Sequence, residues 1–594
     1  MEALRETSPE AGALREGKLY TGVVEGYNSD GAGIIKPEGA VVFVPGTLRG
    51  ETVEFRVTRT RKNFAEAEAV RILEPSPMRR DSDCPYFGEC GGCDFRRMAY
   101  EEELRAKRQR VQDALRRIGG VEIEVEPALP AERPRRYRNK CQYPVSASGV
   151  IGFYRAGSHE VVDVRECLLQ PEAANRSAEA VREWMRRYGV PGYDERTGKG
   201  LIRHVYIRVN RHGESLCCIV ANGKSLPREA ELVGLILAKA PGTLGVVMNT
   251  NTRRDNVILG ARYRTLWGQN FLYDSLRIPS PGGMRELSLP DGAGKVSSPD
   301  GMRELSLPEG AGKVLLPEGM RELSFKVSLP SFYQVNAEQT EKLYALALEC
   351  AALNGAETAL DLYCGTGTIT LSLALWAGKV IGAEIVERAV ADARENALRN
   401  GIANAEFICA DASELAQRLN AEGLRPDVVT VDPPRKGLTP EGIAAIGLME
   451  PSRIVYVSCD PGTLARDVKL FAERGYAVRR AAPVDMFPGT RHVETVVLLS
   501  QQKPDDRIVV DLDLDELDAT ASESKATYAE IKAYVWEHHA LKVSSLYISQ
   551  VKRKCGLEVG KNYNVSKSEN PKVPQCPPEK ERAIMEALRH FKMV

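Results

Sequence analysis

The sequence predicts a multidomain chain: a small N-terminal β barrel, a β-rich middle, a doubly wound, Rossmann-like α/β unit and a mostly helical C-terminal extension. Three observations carry this. Residues 17–73 hold short strand-like runs separated by Gly, Pro and Asn-Ser-Asp turns, the pattern of an all-β unit. Residues 333–500 alternate apolar strands with helical stretches, as in a parallel sheet wrapped by helices. Beyond residue 503 the chain turns strongly acidic and then helical.

Composition sets the frame. The 594 residues are 43% hydrophobic and 27% charged, ordinary for several globular domains. No stretch approaches the ~20 apolar residues of a membrane helix. The opening MEALRETSPEAGALREGK has no apolar signal core, so a cytoplasmic protein without a membrane partner is expected. Lys+Arg and Asp+Glu both total 81, so nucleic-acid binding has to come from local basic patches. The 13 cysteines, an odd number spread through a long chain, argue for metal or catalytic use and against a secreted disulfide framework.

The N-terminal runs GKLYTGVVEGY, GAGIIKP, AVVFVPG and ETVEFRVTRTRKNFAEAEAVRIL suit a five-stranded barrel of the oligonucleotide-binding kind, with a boundary at 12–73. Arg56, Arg59, Arg61 and Lys62 cluster on one strand and its turn, a solvated face or an RNA contact. A central domain is expected over 78–332. It opens with DCPYFGECGGC, where Cys84, Cys90 and Cys93 crowd a Gly-rich loop. Three such thiols call for a fourth ligand, and Cys167, in VVDVRECLLQ at the end of a strand, is the best candidate. Sets of four cysteines hold zinc or iron–sulfur clusters, and spacing does not choose between them. Residues 96–120 read as an amphipathic helix ending at a glycine pair. In ERPRRYRNKCQYPV, basic residues interleave with Tyr137 and Tyr143, which suits a phosphate-tracking, base-stacking surface.

Residues 280–324 are repetitive. GMRELS begins at 283, 301 and 319. So short a Pro/Gly-rich repeat reads as a duplicated surface loop and not a solenoid. FLYDSLRI and SFKVSLPSFYQVN on either side of it then form two arms of one hairpin.

In the α/β unit, TALDLYCGTGTITLSLALW is a buried strand, a Gly-rich turn and a helix. Gly365 and Gly367 let the backbone approach a ligand. Glu384 ends the next strand, where a carboxylate takes ribose hydroxyls. The turn lacks the third glycine of a dinucleotide site and no Walker lysine follows. A cofactor without a pyrophosphate, S-adenosylmethionine, fits better. Asp411 follows the third strand, towards the adenine, and Asp432 ends the fourth in DPPR. In VYVSCDPGTLARD, Cys459 stands at the lip of a strand, where chemistry sits in α/β proteins.

CPYFGECGGC with a distant cysteine, FYQVN, DLYCGTGTITL, DPPRKG, VSCDPGTLARD and HVETVVLL together resemble the S-adenosylmethionine-dependent RNA uracil-5-methyltransferases. The likeness is specifically to the iron–sulfur 23S ribosomal RNA branch with an N-terminal TRAM domain, and it covers residues 17–500 apart from the repeats. The resemblance implies a [4Fe–4S] cluster on Cys84, Cys90, Cys93 and Cys167. It implies cofactor contacts at Gln334, Tyr363, Glu384 and Asp432, Cys459 as nucleophile and Glu494 as base. It implies a methyltransferase domain over 333–500, a 23S rRNA substrate and action as a monomer. Transfer RNA is the alternative substrate within the family. A DNA cytosine-5 enzyme is disfavoured, since its cysteine follows a proline pair and DPPRKG has none there. A non-catalytic iron–sulfur RNA sensor leaves Cys459 and Glu494 unexplained. The extension at 503–594 lies outside the resemblance; a helical pair with Lys552, Arg553 and Lys554 suits an RNA or partner contact.

Overall fold

The computed structural model describes residues 14–281, 319–502, 528–539, 541–555, 557, 576–591 and 593. Most of the repetitive stretch and the acidic stretch after residue 503 lie outside these. The chain divides into two compact units, Met1–Pro504 and Asp505–Val594. Among the described residues no helix is long and apolar enough to cross a membrane.

Strands β1 (Leu19–Tyr27), β2 (Gly33–Ile35), β3 (Val42–Val44), β4 (Thr52–Thr60) and β5 (Ala65–Glu74) close a barrel in the order β1-β2-β3-β5-β4. Period-2 alternation builds it: Val53, Phe55 and Val57 point inward with Val24, Ile35, Val42 and Val44. Of the basic cluster, Arg56 pairs with Glu68 at 3.1 Å and Arg61 with Glu66 at 3.8 Å, both on β5.

The predicted amphipathic helix is α1 (Tyr100–Ala114), continued by a wider π turn at Leu115–Gly119 and closed by left-handed Gly120. Then follow β6 (Lys140–Pro144), β7 (Gly152–Tyr154), β8 (Val161–Asp163), α2 (Glu172–Tyr188), β9 (Ile202–Val209), β10 (Ser215–Ala221), α3 (Glu229–Lys239), β11 (Thr243–Thr250) and β12 (Arg262–Gly268). They form a five-stranded sheet, β12-β11-β10-β9-β6, beside a separate β7–β8 hairpin. Helices α2 and α3 seal the sheet through Trp184, Val181, Leu232 and Ile236.

The expected hairpin is present. β13 (Phe271–Pro279) pairs antiparallel with β14 (Met320–Ser328), Phe271 opposite Ser328 and Pro279 opposite Met320. This corrects the extent of the repeat insert. The third GMRELS copy is strand, because Leu323, Phe325 and Val327 alternate into the core beside Leu276 and Ile278.

The α/β unit runs α4 (Ala337–Ala351), β15 (Thr358–Leu362), α5 (Thr368–Ala374), β16 (Lys379–Glu384), α6 (Glu387–Arg399), β17 (Ala405–Cys409), α7 (Ala412–Ala421), β18 (Val428–Val431), α8 (Pro440–Leu448), β19 (Arg453–Ser458), α9 (Pro461–Ala472), β20 (Tyr476–Val484) and β21 (Glu494–Gln501). Its sheet order is β17-β16-β15-β18-β19-β21-β20. The sheet is parallel as expected from β17 through β19, but β21 runs antiparallel to both neighbours. The cause is the connection: a loop and not a crossover helix joins β20 to β21, so the chain turns straight back. Strand order reverses at the β15/β18 boundary, where ligands bind at the carboxyl ends of such sheets. Apolar packing crosses the boundary drawn at 332: Val111, Leu115 and Val125 share one core cluster with Leu360, Val429, Tyr456 and Phe471.

The C-terminal unit contains α10 (Tyr528–His539), α11 (Ser545–Lys554) and α12 (Pro578–His590). Ile531, Val535, Ile548, Val551, Ile584 and Leu588 form its core.

Candidate active site

The Gly-rich turn leaves β15 through three left-handed residues, Tyr363 (φ 73°), Gly365 (φ 55°) and Gly367 (φ 85°). At Gly367 a Cβ would press on the Phe407 ring at 3.1 Å and on Ala393 at 3.2 Å, so both the backbone angle and the space require glycine. At Gly365 a Cβ would meet nothing within 4 Å; the backbone there faces open space. Tyr363 adopts this strained conformation without being glycine, as residues at functional sites do. Glu384, at the end of β16, accepts hydrogen bonds from the Gly365 amide at 3.1 Å and the Val386 amide at 2.8 Å. Its carboxylate is thereby aimed across the turn, with lone pairs left for two hydroxyls. Asp411 caps α7: one oxygen, Oδ1, accepts from the Ser413 and Glu414 amides.

Asp432 follows β18. Gln334 Nε2 donates to its Oδ2 at 3.4 Å, and burial pushes its carboxyl up to about 7. Glu494 opens β21 and is 3% exposed. Burial, then repulsion from Asp432, holds its carboxyl well above the usual range, against the pull of Arg435. Its Oε2 is buried and accepts no hydrogen bond.

Cys459 lies between β19 and α9, whose N-terminus Asp460 caps through the Gly462 and Thr463 amides at 3.0 and 2.9 Å. Burial first, then the charges of Glu494 and Asp432, raise its thiol to about 11; Arg435 opposes them. Cys459, Glu494, Asp432 and Arg435 thus share one electrostatic neighbourhood. His492, near the same cations, is pushed down to about 4 by burial and then by Arg435, Arg491 and Arg110.

Asp361 was not anticipated. It sits inside β15, accepts a hydrogen bond from Thr370 Oγ1 at 2.5 Å, and leaves Oδ1 buried without a partner. Burial pushes it up to about 7, with Asp432 and Glu384 adding repulsion. The signal in the sequence was one acid inside the apolar strand TALDL.

Cys84, Cys90, Cys93 and Cys167 line one cavity of about 260 Å³, with Arg138 and Lys140 on its wall. Burial pushes the Cys93 thiol up to about 12 and raises Cys90 and Cys167. Thiols so placed ionise when cations neutralise them. Among the described residues no three His, Cys, Asp or Glu converge tightly enough for a single metal ion.

The sheet, its switch-point turn and the comparisons that follow place the chain in the class of S-adenosylmethionine-dependent methyltransferases. The family profile described as tRNA (Uracil-5-)-methyltransferase matches residues 313–502. The TRAM-domain profile of tRNA (uracil(54)-C(5))-methyltransferase matches residues 20–78. An uncharacterized RNA methyltransferase of Halalkalibacterium halodurans is 38% identical over 80% of this chain and 95% of its own length. Another, from Caldanaerobacter subterraneus subsp. tengcongensis, is 38% identical over 82% and 99%. The crystal structure of Pyrococcus abyssi tRNA (uracil-54, C5)-methyltransferase with S-adenosyl-L-homocysteine superposes with a TM-score of 0.59, at 25% identity, covering 81% of this chain and 99% of that one. The chain belongs to the TRAM-containing RNA uracil-5-methyltransferase family. Both family profiles end before the C-terminal unit.

Proposed function

We propose that the protein methylates C5 of a uridine in 23S ribosomal RNA through a covalent adduct between Cys459 and uracil C6. The observation that carries this is the pairing of Ser458 with Thr495. It brings Cys459 and Glu494 to one edge of the sheet, beside the donor turn.

Uracil C5 is a poor nucleophile. The Cys459 thiolate adds to C6, and the C5=C6 electrons move to C5, which becomes able to take a methyl group. S-adenosylmethionine, held at the turn by Glu384, Gly365 and Tyr363, supplies that methyl as a sulfonium electrophile. Glu494 then removes the C5 proton, the C5=C6 bond re-forms, and the thiolate of Cys459 leaves. Covalent catalysis of this kind splits one hard step into easier ones. The raised carboxyl of Glu494 suits a general base, which works best when its pKa lies near the operating pH. Gln334 and Asp432, joined by a hydrogen bond at 3.4 Å, would contact the donor. The target base has to leave its stack to reach Cys459.

Cys84, Cys90, Cys93 and Cys167 fit a [4Fe–4S] cluster. The four cysteines line one cavity, and as thiolates they would hold such a cluster. The cluster would order this loop-rich segment.

Transfer RNA is the second reading. It is favoured by the substrates in the names of both matching profiles and of the Pyrococcus abyssi protein. Methyl-labelled cofactor incubated with 23S fragments and tRNA transcripts, followed by nucleoside analysis, separates the two. 5-Methyluridine in a 23S fragment alone supports the first reading. Label in tRNA alone replaces it with the second, and label in neither refutes both.

A further inference from the structure

The carboxyl of Glu494 has a buried oxygen that accepts no hydrogen bond. With no hydrogen bond holding that oxygen, its aim depends on where the backbone places it. On one side that backbone is fixed by sheet pairing, with Glu494 opposite Val484 on β20. On the other side it leads into the loop joining β20 to β21. The main-chain hydrogen bonds that residues 487–491 make outside their own loop run to residues 94–137, outside the α/β unit.

The contacts are specific. The Gly489 carbonyl accepts from the Asp94 and Phe95 amides, both at 3.1 Å. The Arg491 amide donates to Asp94 Oδ2 at 2.9 Å, and its guanidinium reaches Oδ1 at 3.3 Å. Tyr137 Oη donates to the Pro488 carbonyl at 3.2 Å. The Gly489 amide donates to Glu103 Oε1 at 2.7 Å, and Arg110 donates to the Arg491 carbonyl at 2.8 Å. Lys107, fully buried between Glu103 and Asp485, donates to the Phe487 carbonyl at 3.2 Å. Asp94 immediately follows Cys93.

We infer that Asp94, with Tyr137, is a positioning residue for the base: the cysteine-rich segment clamps residues 487–491 and so sets the aim of Glu494. The inference rests on the proposed roles of Cys459 and Glu494, and it predicts a defect confined to one step. Adduct formation needs Cys459 and the donor; release needs Glu494. Loosening the clamp slows release while addition continues.

The test uses the full chain, purified anaerobically, and substrate RNA carrying ordinary uridine. Wild-type protein, Asp94→Ala, Asp94→Asn and Tyr137→Phe are compared for turnover, for the covalent RNA band on a denaturing gel, for S-adenosylhomocysteine binding and for iron content. For Asp94→Ala we expect turnover to fall by about tenfold or more, the scale of a misplaced general base. The adduct band should grow while homocysteine-ligand binding and iron stay at wild-type levels. Asp94→Asn, which keeps an acceptor for the Arg491 amide, should recover part of the loss. Tyr137→Phe should show the same pattern more weakly. Unchanged turnover in Asp94→Ala, or turnover and adduct falling together, overturns the inference. If Asp94→Ala does not fold, Tyr137→Phe decides alone, and an unchanged adduct fraction there overturns it. A wild-type protein that forms no adduct on 5-fluorouridine RNA refutes the proposed chemistry instead, before the clamp is at issue.

Discussion

Cys459 and Glu494 leave the sheet side by side, because Ser458 on β19 pairs with Thr495 on the antiparallel β21. Had β21 run parallel, as a uniformly wound sheet would have it, its first residue would lie at the opposite edge, away from the donor turn. The reversal places the proposed nucleophile and the proposed base together.

Their electrostatics give a pH signature. The proposed chemistry uses Glu494 as a carboxylate and Cys459 as a thiolate, and both are raised, chiefly by burial. Single-turnover methylation should therefore rise with pH towards about 11, the raised value of the Cys459 thiol. Arg435 is the cation that lowers both groups. In Arg435→Gln the rising limb should move to higher pH; a limb that stays put would show that Arg435 does not face these groups in solution.

Glu384 accepts from the Gly365 amide of the turn, and in the proposed function its remaining lone pairs take the cofactor ribose. Glu384→Ala should weaken S-adenosylhomocysteine binding by roughly tenfold to a hundredfold, the effect of losing hydrogen bonds to a charged group of about 1.5–3 kcal/mol. Calorimetric titration measures it. Unaltered affinity would remove Glu384 from the donor site.

Asp361 carries a stability signature. Its folded-state carboxyl is raised from 3.8 to about 7 by burial, so between those values the folded protein binds a proton that the unfolded chain releases. Stability from this group falls as pH rises through that window. Asp361→Asn keeps an acceptor for Thr370 and should flatten the decline of Tm from pH 5 to 8. An identical slope in wild type and variant would contradict this.

The cysteine cavity makes a claim about iron. In anaerobically purified Cys90→Ser, iron and the broad visible absorbance should be lost while the α/β unit still binds S-adenosylhomocysteine. Iron retained at wild-type level would remove Cys90 from the ligand set.

Local patterns were legible in the sequence. The strand, Gly-turn and helix at 358–374 and the strand before Cys459 were plain, because those residues depend on neighbours in the chain. Glu494 was not legible alone: an acid at a strand start looks like surface, and its 3% exposure comes from long-range packing. The direction of β21, the strand character of Met320–Ser328 and the burial of Val111 and Leu115 against the α/β core all arise from contacts distant in the chain. Asp361 was hidden for the opposite reason, as one polar letter in an apolar word.

The most direct measurement is a trap. Protein, S-adenosylmethionine and 23S fragments carrying 5-fluorouridine are mixed and run on a denaturing gel; fluorine at C5 blocks the proton removal assigned to Glu494. We expect a shifted RNA–protein band with wild-type protein and with Glu494→Gln, and none with Cys459→Ala. A band that survives in Cys459→Ala, or no band with either 23S or tRNA while the donor is bound, would contradict covalent C5 methylation by Cys459.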